Sequence, residues 1–535
     1  MAADSMPRSA HRKVIVAAGL GALFEWYDFY LYGALAAILT QQFLATLEPR
    51  SALTFALFGF AAGFIVRPIG ALLFGRLGDL IGRKYTFLVT LLLMGAATFM
   101  VGVLPGHATL GAAAPVALVA LRLLQGLALG GEYGGVVTYV AEHAPPGRRG
   151  ATTGWIQTTA TLGLVLALAV IALTRAALGE PAFADWGWRI PFLLSALLLV
   201  VGLWVRLSLE ESPLYLRLKK GGGWSRAPLT EAFARWRNLK MVLIALFGLV
   251  AGQAVVWYTG HFQVLYVMTL HLKVDEATAS LLTMIALALG TPLFVAFGAL
   301  SDRVGRKPLV LAGCLLAALS YFPLFEALTR AANPALADAQ HTVPVTLSAA
   351  PHECSWQFNP LGVGAAGSAC DAARQWLVSR AVRYDHATTE SGTTRVTIAG
   401  REVAIVGETS RQALNDALDA AGYPQRADPA RIDRVRVVGI VFVLVLFVAM
   451  VYGPIAALLV ELFPTRVRCS SVSLPYHIGN GWFGGLLPAI TFAIGAQAGD
   501  LRAGLWYAIA IALATVIIGA LFVPETKQRD IGAIE

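Results

Sequence analysis

Five ionisable side chains sit inside long apolar runs: Glu25, Asp28, Arg67, Arg122 and Glu132. A charge at mid-bilayer costs on the order of 3 kcal/mol by insertion scales, so each of these needs a partner or a task. Glu25 and Asp28 are three residues apart and share a helix face. Counted from the edges of their runs, Glu25, Asp28, Arg67 and Glu132 fall at similar depth. Arg122 lies about 15 Å further along its helix than Glu132. Three carboxylates face two guanidiniums, which leaves one acid free to take a proton in a desolvated site. The chemistry open to such a set is reversible protonation of Asp28 or Glu132, with Arg67 or Arg122 as partner, and pairing of a guanidinium with an anion. The plainer alternative is a set of ion pairs that only ties helices together.

Polar and aromatic groups recur in other apolar runs. Gln253, Trp257 and His261 are spaced by four and form one helical stripe, flanked by Tyr258 and Gln263. Another run carries Tyr476, His477, Asn480 and Trp482 among glycines, and a third carries Trp155, Gln157 and Thr158. Gln125 and Tyr133 lie near the Arg122 face of their helix. With Tyr32 and Arg67, the candidates to line a central cavity are Gln125, Tyr133, Trp155, Gln157, Gln253, Trp257, Tyr258, His261, His477 and Asn480. An intramembrane histidine can equally serve as a helix-to-helix hydrogen bonder, and aromatic rings as packing or interfacial belts.

The elements that carry these residues follow from composition. Of 535 residues, 57% are hydrophobic and 14% charged. A soluble domain would need a very large core to hide that much apolar surface, and lipid removes the need. About twelve runs are long enough to cross roughly 30 Å of hydrocarbon. They are 14–44, 52–74, 85–104, 113–141, 151–173 and 189–209, then 241–270, 277–299, 309–328, 437–460, 471–494 and 503–523. The net charge of +9 reflects Lys and Arg clustered in short connections, a pattern of bilayer orientation rather than nucleic-acid binding. The basic loops share one side, so that side and both termini are expected to be cytoplasmic. The first run lacks a small-residue cleavage site and reads as a retained helix, not a signal peptide. The expected organisation is a six-helix unit over 1–209 and a cytoplasmic linker over 210–240 with Gly221-Gly222-Gly223. A second six-helix unit follows over 241–328 and 437–535, interrupted by an insertion over 329–436.

A short string occurs twice, about 220 residues apart. Gly75, Asp79, Gly82, Arg83 and Lys84 match Gly298, Asp302, Gly305, Arg306 and Lys307, and Gly78 lies within the first copy. Glu142 followed by Pro146, Arg148 and Arg149 is echoed by Glu461 followed by Pro464, Arg466 and Arg468. Two related membrane halves are the simplest explanation, and such repeats are typical of transporters. The glycines do not form a phosphate cradle, because no Gly-Lys-Ser/Thr ending follows them.

These residues resemble the duplicated inner-loop signature of the major facilitator superfamily. More narrowly, the chain resembles the metabolite:proton symporter family, which takes up shikimate, α-ketoglutarate, citrate, proline and betaine. The strings that carry this are Phe24-Glu25-Trp26-Tyr27-Asp28-Phe29-Tyr30-Leu31-Tyr32-Gly33, Arg67-Pro68-Ile69-Gly70, and Arg122-Leu123-Leu124-Gln125-Gly126 running into Gly130-Gly131-Glu132-Tyr133-Gly134-Gly135. The resemblance implies an all-α membrane fold of twelve helices in two pseudo-symmetric bundles, and import of a small organic acid or zwitterion with protons by alternating access. It ties the arginine of the fourth helix, here Arg122, to proton coupling. It also implies a cytoplasmic latch built from both signature loops with Glu142, Arg149, Glu461 and Arg466. The superfamily's antiporter signature, a Gly-Pro pair in the fifth helix, is absent from 154–173, which favours symport. The expected location is the cell inner membrane. Rival expectations are an uncoupled facilitator or exporter of the same fold, and a membrane sensor with a ligand-binding outer domain. No catalytic constellation, cofactor site or metal-ligand set is expected.

The insertion departs from the family's short loop. Cys354 and Cys370 both lie in it, and an oxidising compartment would join them in a disulfide. Residues 393–406 alternate like a strand pair with Gly400 near the turn, and 410–421 reads as an amphipathic helix. A small α/β cap is expected, serving as a lid, a capture module or a docking site for an envelope partner, or else tolerated as a surface insertion. His341, His352 and His386 look too scattered to form a site.

Overall fold

The computed structural model describes residues 8–43, 62–207, 210–355, 368–389, 393–405 and 409–532. In hydrocarbon the backbone must be satisfied internally, and a helix does so within one segment. Eleven helices among the described residues are long and apolar enough to cross a membrane, and the shorter helix Arg67–Leu80 completes two sets of six. The first set is α1 (Arg8–Ala34), α2 (Arg67–Leu80), α3 (Arg83–Val103), α4 (Ala113–Glu142), α5 (Arg149–Leu178) and α6 (Arg189–Leu207). The second is α7 (Trp236–His271), α8 (Glu276–Val304), α9 (Arg306–Ala332), α10 (Arg434–Leu462), α11 (Thr465–Ala498) and α12 (Leu501–Phe522). Half of the expected run 52–74 lies outside the described residues, and its remainder leads into the short α2.

Large apolar side chains such as Leu173, Val200, Leu319 and Leu521 point outward, as a lipid-facing wall requires. Between the halves α2 packs along α11 and α5 along α8. The backbones approach closely there because the signature glycines lack side chains. A Cβ on Gly75 would lie 3.0 Å from Ser470 Cα, and one on Gly298 would lie 2.4 Å from the Gly150 carbonyl oxygen.

The chain between α9 and α10 forms the expected α/β unit. Strands β1 (Val345–Ala349), β2 (Asp385–Thr388), β3 (Arg395–Ile398) and β4 (Arg401–Ala404) form a sheet in the order β2-β1-β3-β4. The β1/β2 pair is parallel, and the other two pairs are antiparallel. The β3–β4 hairpin turns through Ala399 and Gly400, both at positive φ, as a two-residue hairpin loop demands. Val345, Leu347 and Ala349 alternate inward, and Leu377, Leu414 and Leu418 from the helices Ala369–Ser379 and Thr409–Ala420 are buried in the same unit. Cys354 and Cys370 form a disulfide. His386 is not scattered from it: its Nε2 lies 3.4 Å from Cys354 Sγ, and the two sulfurs and the imidazole fall within 4.8 Å of one another. The disulfide ties up both sulfurs, so the group offers a metal one imidazole. Burial, then the Arg374 charge, hold that imidazole below the usual histidine range.

The unit is seated on loops of the second half. The Tyr384 hydroxyl donates to the Ala496 carbonyl at 2.6 Å and its amide to Gly499 at 3.0 Å. Lys273 Nζ donates to Ser379 at 2.8 Å, and the Ala427 amide to Lys273 at 3.0 Å.

Candidate functional site

The buried charges separate into two groups. In the first, Arg206 of α6 reaches Glu25 at 3.0 Å and Glu132 at 2.6 Å. All three are buried. Arg206 enters the bundle because Gly21 leaves room: a Cβ there would fall 2.2 Å from its Nε. The partner of Glu132 is therefore Arg206, not Arg67 or Arg122, and the balance of charge becomes three acids against three arginines.

Arg67 and Arg122 form the second group. They share the Phe29 ring, with guanidinium carbons 4.5 and 3.9 Å from its centroid. Arg67 also lies over Phe64 at 4.8 Å and Trp26 at 5.7 Å. It is fully buried, and none of its three side-chain nitrogens makes a hydrogen bond or ion pair among the described residues. The Tyr258 hydroxyl is a loose polar neighbour of it, and the Tyr30, Tyr452 and Tyr476 hydroxyls and His477 also feel its charge. Such a group is costly unless something completes it. Arg122 Nη1 donates to the Phe29 carbonyl and to Gln125 Oε1, both at 3.2 Å, and Tyr32 lies under the same guanidinium at 4.7 Å. Gln125 Nε2 passes the contact on to Thr98 Oγ1 at 2.8 Å. Thr98 and Ser195 face the carboxyl of Asp28, which has no ion pair among the described residues. A polar chain thus links Asp28 to Arg122 through Thr98 and Gln125.

The second half supplies the opposite wall. Gln253 and Asn480 exchange amide hydrogen bonds at 3.3 and 3.1 Å. His261 bonds Thr161 across the halves at 3.0 Å and the Trp257 carbonyl at 3.1 Å, so it is the helix-to-helix bonder of the plainer reading. His477 is buried with both ring nitrogens unpartnered among the described residues, and it feels the Arg67 charge. Trp257, Tyr30 and Phe262 form a ring cluster, with Tyr258 against both Trp257 and Phe262. Both α7 and α11 widen into π turns beside these residues, at Thr259–Gln263 and Gly479–Gly484, a departure often found at functional sites. Gln157 of α5 donates to the Tyr133 hydroxyl at 3.0 Å and the Tyr452 carbonyl at 2.8 Å. A small cavity bordered by Trp26, Glu132, Tyr133, Gln157 and Tyr452 lies between the halves. Trp155 does not line it. It is 53% exposed, because residues two apart on a helix point about 200° away from each other and Gln157 faces in.

At the signature end, two near-copies of one network meet. Asp79 accepts from the Cys469 and Ser470 amides at 3.1 and 2.9 Å, and Asp302 from the Gly150 and Ala151 amides at 2.9 and 2.8 Å. Each aspartate thereby caps a helix start of the opposite half, where free amides and the helix dipole favour an anion. Glu142 pairs with Arg468 at 2.9 Å and Arg83 at 3.7 Å, and Glu461 with Arg149 at 2.6 Å and Arg306 at 3.3 Å. The Ser212 and Thr526 hydroxyls donate to Glu142 and Glu461. Glu211 accepts from the Lys84 amide, and Glu525 from those of Arg306 and Lys307. Gly82 and Gly305 turn at φ 118° and 112°, with those glutamates where a Cβ would stand. Gly78 leaves space for Cys469 Sγ. Arg466 takes no part in this network. It pairs with Glu231 of the linker at 2.6 Å, and Arg468 fills the expected place. Spacing could have found it, since Arg149 and Arg468 each follow their glutamate by seven residues.

Two helical bundles joined through capped helix starts, with a polar centre between them, define a transporter of the major facilitator superfamily. The family model for sugar (and other) transporters matches residues 13–231 and 420–535, and the chain belongs to that family. A putative metabolite transport protein of Haemophilus influenzae is 30% identical over 98% of this chain and 99% of its own length. The proline/betaine transporter of Salmonella typhimurium is 35% identical over 59% of this chain, and the match spans 64% of that relative's length, under two thirds. Among solved structures, the proton:xylose symporter XylE bound to 6-bromo-6-deoxy-D-glucose superposes with a TM-score of 0.65 at 17% identity, covering 98% of each chain. That last likeness concerns the fold alone. The relatives are transporters, not enzymes.

Proposed function

We propose that the protein imports a small organic acid or zwitterion together with protons across the cell inner membrane, by alternating access. Arg67 carries this reading. It is a buried guanidinium between the halves, walled by rings and with no anion beside it among the described residues, and the substrate carboxylate is the anion that would complete it. The ring cluster around Trp257 suits a compact ring or an onium body, of the kind named for the proline/betaine relative. His477 offers the substrate two further unpartnered nitrogens.

Asp28 is the proton carrier in this scheme. Glu25 and Glu132 are held by Arg206, whereas Asp28 meets the Ser195 and Thr98 hydroxyls and no cation among the described residues, and its link through Thr98 and Gln125 reaches Arg122. Protonation of Asp28 adds a positive unit to a desolvated centre and arrival of a carboxylate beside the paired arginines cancels it, so each favours the other. The signature network is the cytoplasmic latch, intact in this structure. The basic loops favour a cytoplasmic position for it and for both termini, and an outer position for the inserted unit.

The test is uptake of labelled glycine betaine, proline and shikimate into proteoliposomes under an inward proton gradient. Accumulation that collapses with a protonophore supports symport. Uptake of a substrate that equilibrates equally with or without the gradient makes the protein a facilitator.

A further inference from the structure

Residues beyond α12 lie across the latch. The Ile531 carbonyl accepts from Arg468 Nη2 at 2.8 Å and from the Thr465 hydroxyl at 3.2 Å. The Arg529 carbonyl accepts from Arg149 Nη1 at 3.4 Å, and Arg529 Nη1 donates to the Glu461 carbonyl at 3.4 Å. Arg149 belongs to the first half and Arg468 to the second, so one short segment touches both arginines that cross the interface. The Ile531 side chain is only 5% exposed. Gly532 lies against Leu214 in the linker helix Pro213–Lys220. The path turns at Gln528 with φ 69°, a conformation a non-glycine residue keeps only when its surroundings hold it. The matching place after α6 is occupied differently: Ser212 caps the helix Pro213–Lys220. Beyond Thr526, the counterpart of Ser212, the segment is thus an unduplicated part of a duplicated gate.

We propose that the cleft between the halves at the latch end is a binding groove for residues 526–532 of this chain, and that seating Ile531 there favours the closed latch. The groove's donors come from both halves. When the halves part, Arg149 and Arg468 separate and the segment loses anchors on one side. Occupancy and closure are therefore linked, and each promotes the other. The proposal rests on the alternating-access reading above.

Cys469 is a built-in reporter. Its thiol is buried against Gly78 at the centre of the latch, while Cys314 is buried in α9 and the other two cysteines form the disulfide. The experiment follows N-ethylmaleimide labelling of Cys469 in the full chain in nanodiscs by mass spectrometry. Ile531→Asp is expected to raise its labelling rate about fivefold or more and Thr465→Val about twofold, with Ile531→Val close to wild type. Glu461→Gln serves as a latch-opening control. Unchanged Cys314 labelling shows that the fold is intact; if it too rises in Ile531→Asp, the milder Thr465→Val decides. If Glu461→Gln exposes Cys469 but neither groove variant does, the groove proposal is overturned and the latch stands. If Glu461→Gln also leaves Cys469 protected, the latch reading falls and the groove with it.

Discussion

The latch and the centre of the molecule are built on opposite plans. At the latch nearly every contact occurs twice, once per half: Asp79 with Asp302, Glu142 with Glu461, Arg468 with Arg149, Glu211 with Glu525. At the centre nothing is repeated. The charges and the rings they lie on (Trp26, Phe29, Phe64) come from the first half, and Trp257, His477 and the Gln253–Asn480 pair come from the second. On the proposed reading, a gate closes two halves against each other, and a duplicated chain solves that once and copies it, whereas a site for an asymmetric molecule needs two walls that differ.

That division can be tested by asking whether damage to one region stays there. The largest effect is expected for Arg67→Ala, which should weaken carboxylate substrate binding by roughly 100-fold, about 3 kcal/mol. Titration calorimetry measures it, and Cys469 labelling should remain at the wild-type rate. A change in both would show that centre and latch are one unit. Asp28→Asn should lower gradient-driven accumulation about tenfold while leaving substrate counterflow largely intact, because a permanently neutral group no longer exchanges protons. Loss of both activities together would move Asp28 from coupling to binding. Next, Glu142→Gln and Glu461→Gln should accelerate Cys469 labelling to the same extent within about twofold, since each strips one buried arginine pair of its anion. Unequal effects would break the symmetry argument. The smallest effect on transport is expected from replacing Cys354 and Cys370 with serine. The bridge closes a separation of 16 residues, and its loss should cost the inserted unit about 3 kcal/mol. Hydrogen exchange across β1 and β2 would register this, with uptake unchanged.

The membrane helices and the doubled signature were legible because both are local. Hydrophobic runs declare themselves, and Asp79 or Asp302 stands at a fixed offset from glycines whose tight turns nothing else could make. Arg206 was not legible as a counter-ion. It lies three residues inside the expected end of its run and resembles an ordinary boundary cation, and only the gap left by Gly21 draws it inward. Trp155 was misplaced because its neighbour Gln157 was grouped with it, although the helical period sends the two to different sides. In the inserted unit the β3–β4 hairpin and the helix Thr409–Ala420 could be seen in the sequence, whereas β1 and β2 pair across 38 intervening positions (Thr346 with Asp385). Short strands of that kind announce no partner.

Because Tyr384, Ser379 and Ala427 fasten the inserted unit to loops of the second half, on the proposed alternating access it would travel as luggage strapped to that half. A fluorophore on this unit, paired with one on α5, would turn each rocking motion into a change of distance outside the lipid. The same rigid protrusion would give single-particle images of an otherwise featureless membrane bundle a landmark for alignment.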